Sequence, residues 1–184
     1  MATLTVSGSS STYVGDTYTV TVAISYSASE SDLYCDSVSA TVYWGDGKSS
    51  SIDITTTACS NGAVSGGGSA TASHTYSSSG TYSVYAKVYG VNSNTISVTV
   101  NALPSISISV NKTTVDQGIS IQATVTVSGG VPNYSVTVYW GDNSTTSDTW
   151  TATGSTTYTH TYTSTGSKTV YATVTDGGGK SATS

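Results

Sequence analysis

Phenylalanine is absent from these 184 residues, proline and cysteine occur twice each, and charged residues make up only 8%, against a typical ~25%. The scarcity of charge excludes whole classes of partner. Ten acids and five bases give a net charge of −5. They are spread thinly and without a basic cluster, so no nucleic-acid partner is expected, because phosphate binding needs gathered Lys or Arg. No apolar run is long enough for a membrane span. The opening MATLTVSGSS lacks a basic start and a continuous apolar core, so no cleaved signal peptide is expected there. Either Met1 heads a fragment, or the chain begins here without secretion through such a signal. Helical periodicity is missing from every window.

What is there is hydroxyl. Ser and Thr fill much of the chain and Tyr occurs 14 times. Such richness can mean a mucin-like stalk without a core. Here, however, Val, Ile and Tyr recur at every second position through several runs, which is the signature of half-buried strands. The class is all-β. With few carboxylates to titrate, stability is expected to depend weakly on pH. The composition resembles that of surface proteins of thermoacidophilic archaea.

The chain also repeats itself. HTYSSSGTYSVYAKV (residues 74–88) matches HTYTSTGSKTVYATV (residues 160–174) at a spacing of 86, and YWGDG at residues 43–47 returns as YWGDN at 139–143, 96 positions on. Two units follow, over residues 1–102 and 103–184, each large enough to fold alone. The boundary lies near VNALPSI, with so few residues left for a linker that a semi-rigid rod is expected. Within each unit Val38, Ala40, Val42 and Trp44, or Tyr134, Val136, Val138 and Trp140, share one strand face. Ile52, Ile54 and Trp150 point inward from the next strand. Tyr82, Val84, Ala86 and Val88, or Lys168, Val170, Ala172 and Val174, line a later one. Short strands joined by Gly, Asn and Ser turns predict two tandem sandwiches of immunoglobulin-like type.

Trp followed by Gly-Asp-Gly, then His-x-Tyr, then Gly-x-Tyr-x-Val resembles the polycystic kidney disease (PKD) domain in both halves. The close TVYATVTDGGGKSAT is similar to the usual end of that repeat. Asn143 replaces the second turn glycine, Lys168 the motif tyrosine, and Tyr43 and Tyr139 stand where many relatives carry an acid. The resemblance implies an extracellular spacer or interaction module, as found in surface layers, adhesins, secreted hydrolases and receptor ectodomains.

Five groups of residues are candidates for function. Asp46 with His74 and Asp142 with His160 invite a catalytic reading. The favoured reading is structural, because both pairs lie beside a motif tryptophan (Trp44, Trp140) and tyrosine (Tyr76, Tyr162). Calcium would need converging oxygens; the turn acids and Asp16 are the only candidates, and neither metal nor cofactor is expected. Cys35 and Cys59 each sit in a stretch that only the first unit has, and are expected to form a disulfide. Closing that loop is worth about 3 kcal/mol in the chain-entropy model. Tyr43 with Tyr85 and Tyr139 with Tyr171 face away from the core; they either shield their own sheet or seat a sugar or a partner protein. Sequons at Asn111, Asn133 and Asn143 match in number what chance allows.

The leading functional expectation is a non-catalytic stalk segment of an exposed structural protein: surface layer, filament or virion projection. Its partners would be other domains of a longer chain or neighbouring subunits. The alternative is an accessory glycan- or protein-binding module of a secreted protease or glycosidase. The chain is further expected to be a piece of a longer one. At the repeat spacing Ala182 and Ser184 fall at the places of Ile96 and Val98, which shortens the last strand of the second unit.

Overall fold

Alternation is the principle on which this chain is built, and the computed structural model, which describes residues 2–27, 36–57 and 65–184, shows it strand by strand. Cys35 and Cys59, with the disulfide expected between them, lie outside the described residues. The chain divides into two units, Met1–Asn101 and Ala102–Ser184, and the described residues of both are strand and turn without helix.

The described residues of the first unit form β1 Thr3–Gly8, β2 Ser11–Tyr13, β3 Thr17–Tyr26, β4 Ser37–Tyr43, β5 Ser49–Thr55, β6 Gly66–Thr75, β7 Gly80–Val88, β8 Val91–Asn92 and β9 Ile96–Asn101. They form one sheet in the order β1-β3-β6 and a second in the order β2-β9-β7-β4-β5, with β8 pairing β7. The second unit holds β10 Ser105–Val110, β11 Ser120–Ser128, β12 Tyr134–Tyr139, β13 Thr145–Trp150, β14 Gly154–Thr161, β15 Tyr171–Thr175 and β16 Ser181–Thr183. Its sheets run β10-β11-β14 and β13-β12-β15-β16. Each unit is a β-sandwich of immunoglobulin-like kind, its inner faces supplied by every second residue.

Along β3 the inward set is Tyr18, Val20, Val22, Ile24 and Tyr26, all buried, and along β4 it is Val38, Ala40 and Val42, followed by Trp44 just beyond the strand. Trp140 closes β12 in the same way, and both indoles are fully buried. Ile54 is buried, while Ile52, Trp150, Val170 and Lys168 are half-buried. Each large apolar side chain taken fully out of water contributes roughly 1.5–3 kcal/mol.

The outward positions of the sheets are joined by hydroxyls. Directly opposed pairs bond across strands at Thr19–Ser73 (2.8 Å), Thr124–Thr157 (3.1 Å), Thr126–Ser155 (2.8 Å) and Thr137–Ser147 (3.0 Å). Cross-strand Thr and Ser pairs of this kind each add a few tenths of a kcal/mol to about 1 kcal/mol. The Ser/Thr richness is thus the outer face of a sheet, with a β-branched residue favoured at each Thr.

The end of the second unit departs from the repeat spacing. Ser93 binds Ala86 twice: its N donates to Ala86 O at 2.9 Å and its Oγ accepts the Ala86 amide at 2.8 Å. Ser184 binds Ala172 by the same two bonds, at 3.0 and 2.9 Å. Ala86 and Ala172 are repeat equivalents, so Ser184 occupies the place of Ser93 and not that of Val98. Among the described residues, no strand of the second unit therefore corresponds to β9, and β16 corresponds to β8.

Candidate functional site

The two copies of the tryptophan motif build one bracket twice. After β4 and β12 the backbone must reverse within four residues, and the aspartate makes this possible: Asp46 Oδ1 accepts the Lys48 amide at 3.1 Å and Asp142 Oδ1 the Ser144 amide at 3.0 Å. The turn is closed by Trp44 N donating to Lys48 O and Trp140 N to Ser144 O, both at 3.1 Å. Each indole Nε1 donates to a hydroxyl on the returning strand, Ser50 at 2.9 Å and Thr146 at 3.0 Å. From the opposite sheet, the Tyr76 and Tyr162 hydroxyls donate to the carbonyls of Trp44 and Trp140, each at 2.9 Å. A buried phenol thus satisfies a carbonyl that the turn would otherwise leave unpaired.

The histidines complete the bracket. His74 and His160 stack on Trp44 and Trp140 with centroids 5.0 and 4.8 Å apart, and meet Tyr76 and Tyr162 edge-on. In both copies Nε2 lies 2.8 Å from the aspartate Oδ2. Burial alone would raise the Asp46 carboxyl, but the His74 bond and the Lys48 amide outweigh it and hold it below the ordinary range. For Asp142 the Ser144 hydroxyl is the largest influence; with His160 and the Ser144 amide it outweighs burial and holds the carboxyl far below that range. Tyr76 and Tyr162 are both raised, first by burial and then by the nearby aspartate.

Ser144, Asp142 and His160 together look like a hydrolytic constellation, and their geometry argues against it. A serine triad places the carboxylate on Nδ1 and the hydroxyl on Nε2. Here both face the same nitrogen, Asp142 at 2.8 Å and Ser144 Oγ at 3.4 Å. Ser144 gives its proton to Asp142 Oδ1, and an Nε2–H directed at the carboxylate has no lone pair for a nucleophile. The first unit carries Lys48 in place of Ser144, with Nζ 3.9 Å from Asp46. The bracket is duplicated; the serine is not.

Tyr43 and Tyr85 are direct cross-strand partners on β4 and β7, and Tyr139 and Tyr171 on β12 and β15. Their rings stack with centroids 4.8 and 4.5 Å apart and planes within 13° and 5°. All four are half-buried, each stacking one face on its partner. Asn111, Asn133 and Asn143 are exposed. Asn133 and Asn143 have φ of 75° and 70°, a backbone region that asparagine tolerates and most residues do not. Asn143 can replace Gly47 for that reason. Asn111 Oδ1 accepts the Gln122 amide at 2.8 Å.

Two polar clusters escaped the motif reading. Asp148 Oδ2 accepts from Trp150 Nε1 at 3.2 Å and from the Tyr158 hydroxyl at 3.1 Å, joining β13 to β14. Asp176 is buried; it receives the amides of Val131, Gly178 and Lys180 and so pins the β15–β16 turn to a neighbouring loop. The Asp-Gly pair at 176–177 is a turn signal in the sequence, but nothing there reveals the contact with Val131. Among the described residues no three His, Cys, Asp or Glu side chains converge on a possible metal position. None of them forms a helix long and apolar enough to cross a membrane.

No family model and no curated protein matches the chain. Among solved structures, the full ectodomain of mouse nectin-like molecule 4 (Ig1–Ig3) is similar at 13% identity and a TM-score of 0.40, over 98% of this chain and 61% of that one. The Yersinia pseudotuberculosis adhesin InvE is similar at 16% identity and a TM-score of 0.32, over 100% of this chain and 57% of that one. The chain thus spans about three fifths of the length of the solved chains it matches.

Proposed function

We propose that the chain is a non-catalytic tandem segment, PKD-like in both halves, that spaces and presents other parts of an exposed structural protein of a surface layer, filament or virion projection. The supporting observation is the bracket itself. Both histidines of the chain are held between a buried tryptophan and a turn aspartate, bonded alike in the two units. That placement serves the fold and leaves no base for a nucleophile. Its partners are neighbouring domains or subunits at the outside of a cell or particle.

The stacked tyrosines favour a second reading, an accessory binding module of a secreted protease or glycosidase, since paired aromatic edges with polar tips suit glycan or protein contacts. One set of measurements separates the readings. The protein and its His74→Ala and His160→Ala variants are assayed on peptide, ester and glycoside substrates and melted in parallel. The structural reading expects lower melting temperatures in both variants and no turnover in any sample. Turnover lost on either change with the fold intact would overturn it. Retention on insoluble chitin or cellulose that Tyr139→Ser with Tyr171→Ser abolishes would establish the second reading instead.

A further inference from the structure

Each unit holds a pair of phenols on the outer face of its larger sheet. Tyr43↔Tyr85 and Tyr139↔Tyr171 stand opposite each other in register, on β4 with β7 and on β12 with β15. Residues so placed have their Cβ atoms about 4.5–5.5 Å apart. Here the rings also lie face to face, with centroids 4.8 and 4.5 Å apart and planes 13° and 5° from parallel. The positions are repeat equivalents, so the same contact is built twice.

What these rings can do beyond covering the sheet depends on their hydroxyls. Tyr18, Tyr76, Tyr82, Tyr134 and Tyr162 each donate to a backbone carbonyl. Among the described residues, no hydrogen bond engages the hydroxyl of Tyr43, Tyr85, Tyr139 or Tyr171. A phenol that loses an electron also loses its proton, and a hydroxyl not held by the fold can give that proton to water. Tyr76 and Tyr82 stack as closely, at 4.4 Å and 22°. Tyr76, however, is fully buried and bonded to the Trp44 carbonyl, which makes that pair an internal control.

The neighbours on the outer face are inert to oxidation. Beside Tyr43 stand Thr41 and Ser49, and beside Tyr139 stand Thr137 and Thr145, all on the same side of the sheet. None offers a ring or a sulfur, so a radical formed on one tyrosine has the other as its neighbour on that face. A phenoxyl radical carries its unpaired electron in π lobes perpendicular to the ring, much of it on the two Cε carbons. Face-to-face stacking points those lobes at the partner.

We propose that Tyr43–Tyr85 and Tyr139–Tyr171 are oxidative cross-linking sites, each closing to a dityrosine that staples two central strands of its sandwich when a one-electron oxidant is supplied. Each phenol loses one electron to the oxidant and one proton to water. The two radicals join by a Cε–Cε bond. Each joined carbon then sheds its hydrogen as a proton while its own oxygen regains one, which restores both phenols. Both cysteines lie in the first unit, so the second can form no disulfide within itself, and Tyr139–Tyr171 supplies a covalent tie of another kind. The inference stands on the ring pairs and rests on neither reading above.

The test oxidises the dilute full chain with photolysed tris(bipyridyl)ruthenium(II) and limiting persulfate, which takes up the electrons and ends as sulfate. The monomer is then isolated. Expected are dityrosine fluorescence, a mass lower by two hydrogens for each bond, and linked peptides that map to the two pairs. The same oxidation in concentrated urea should lower both yields about tenfold or more, because the fold no longer holds the second ring beside the first. Tyr85→Phe and Tyr171→Phe keep the rings and remove one phenol each; either should lose its own bond and retain the other. A monomer without dityrosine overturns the proposal, as does a bond that survives its Phe variant. So do bonds formed chiefly through Tyr89, which is 59% exposed, or between Tyr76 and Tyr82, and so does a yield in urea equal to that of the folded chain.

Discussion

Asp142 shows how much one side chain is asked to do in this fold: it turns the backbone, holds His160 and receives the Ser144 hydroxyl. Its folded pKa is depressed, as are those of Asp46 and Asp148. The stabilisation they provide is complete above the unfolded carboxylate value of about 3.9 and is lost as pH falls through the folded values. Melting temperature is therefore expected to be flat, as far as these groups govern it, from neutral pH to about 4 and to fall only below that. The deficit of an Asp142→Asn variant should be constant over the flat range and shrink in stronger acid. Melts of both proteins at steps of pH check this; a deficit that instead shrinks between pH 7 and 5 would mean that Asp142 is not depressed. The clamp was foreshadowed by the repeated Asp and His. The shared Nε2 was not, because sequence spacing says which residues meet and not which atoms.

Turns are where the strands of this protein are decided. Gly47 has φ of 86° with open space around it, whereas Gly141 has φ of 78° and a Cβ there would lie 2.6 and 2.7 Å from the Thr169 carbonyl oxygen and amide nitrogen. Gly47→Ala is expected to cost about 1 kcal/mol from backbone strain alone. Gly141→Ala adds a collision with an immovable neighbour and should cost more than about 2 kcal/mol. Urea unfolding of the two variants gives the order, and equal costs would mean that the turn is not pressed against its neighbour. Inward-facing strand residues were readable because a two-residue period survives any tertiary context, and Val38 to Trp44 and Tyr134 to Trp140 fall where that period puts them. The register of the last strand was not readable. Ala86 and Ser93 are seven residues apart, while the equivalent Ala172 and Ser184 are twelve apart. The longer β15–β16 hairpin takes up residues that a fixed repeat spacing assigns to the next strand. Hairpin length is free to vary because a loop of polar and glycine residues costs little to extend.

The units share a bracket and a core plan, but only the first joins its opening segment to its closing strand, and that join governs how the molecule behaves under tension. β2 and β9 run parallel, bonded further by Val14 N to Asn101 O, Thr99 N to Ser10 O and Asn101 Nδ2 to Thr12 O. Pulling the ends of this unit apart first strips β1 from β3. It then slides β2 and β9 past each other, so that all of those bonds are loaded in shear together. In the second unit β16 is one arm of an antiparallel hairpin, free to peel away pair by pair. Stretched singly by its termini, the chain should show two rupture events, the weaker lengthening it by the second unit's share of residues and the stronger by the first. Forced unfolding is governed by barriers and not by equilibrium stability, so this order can differ from the order of melting. Equal rupture forces would mean that the parallel join bears no load. If the order holds, the parallel join makes the first unit the part of residues 1–184 that resists pulling longest.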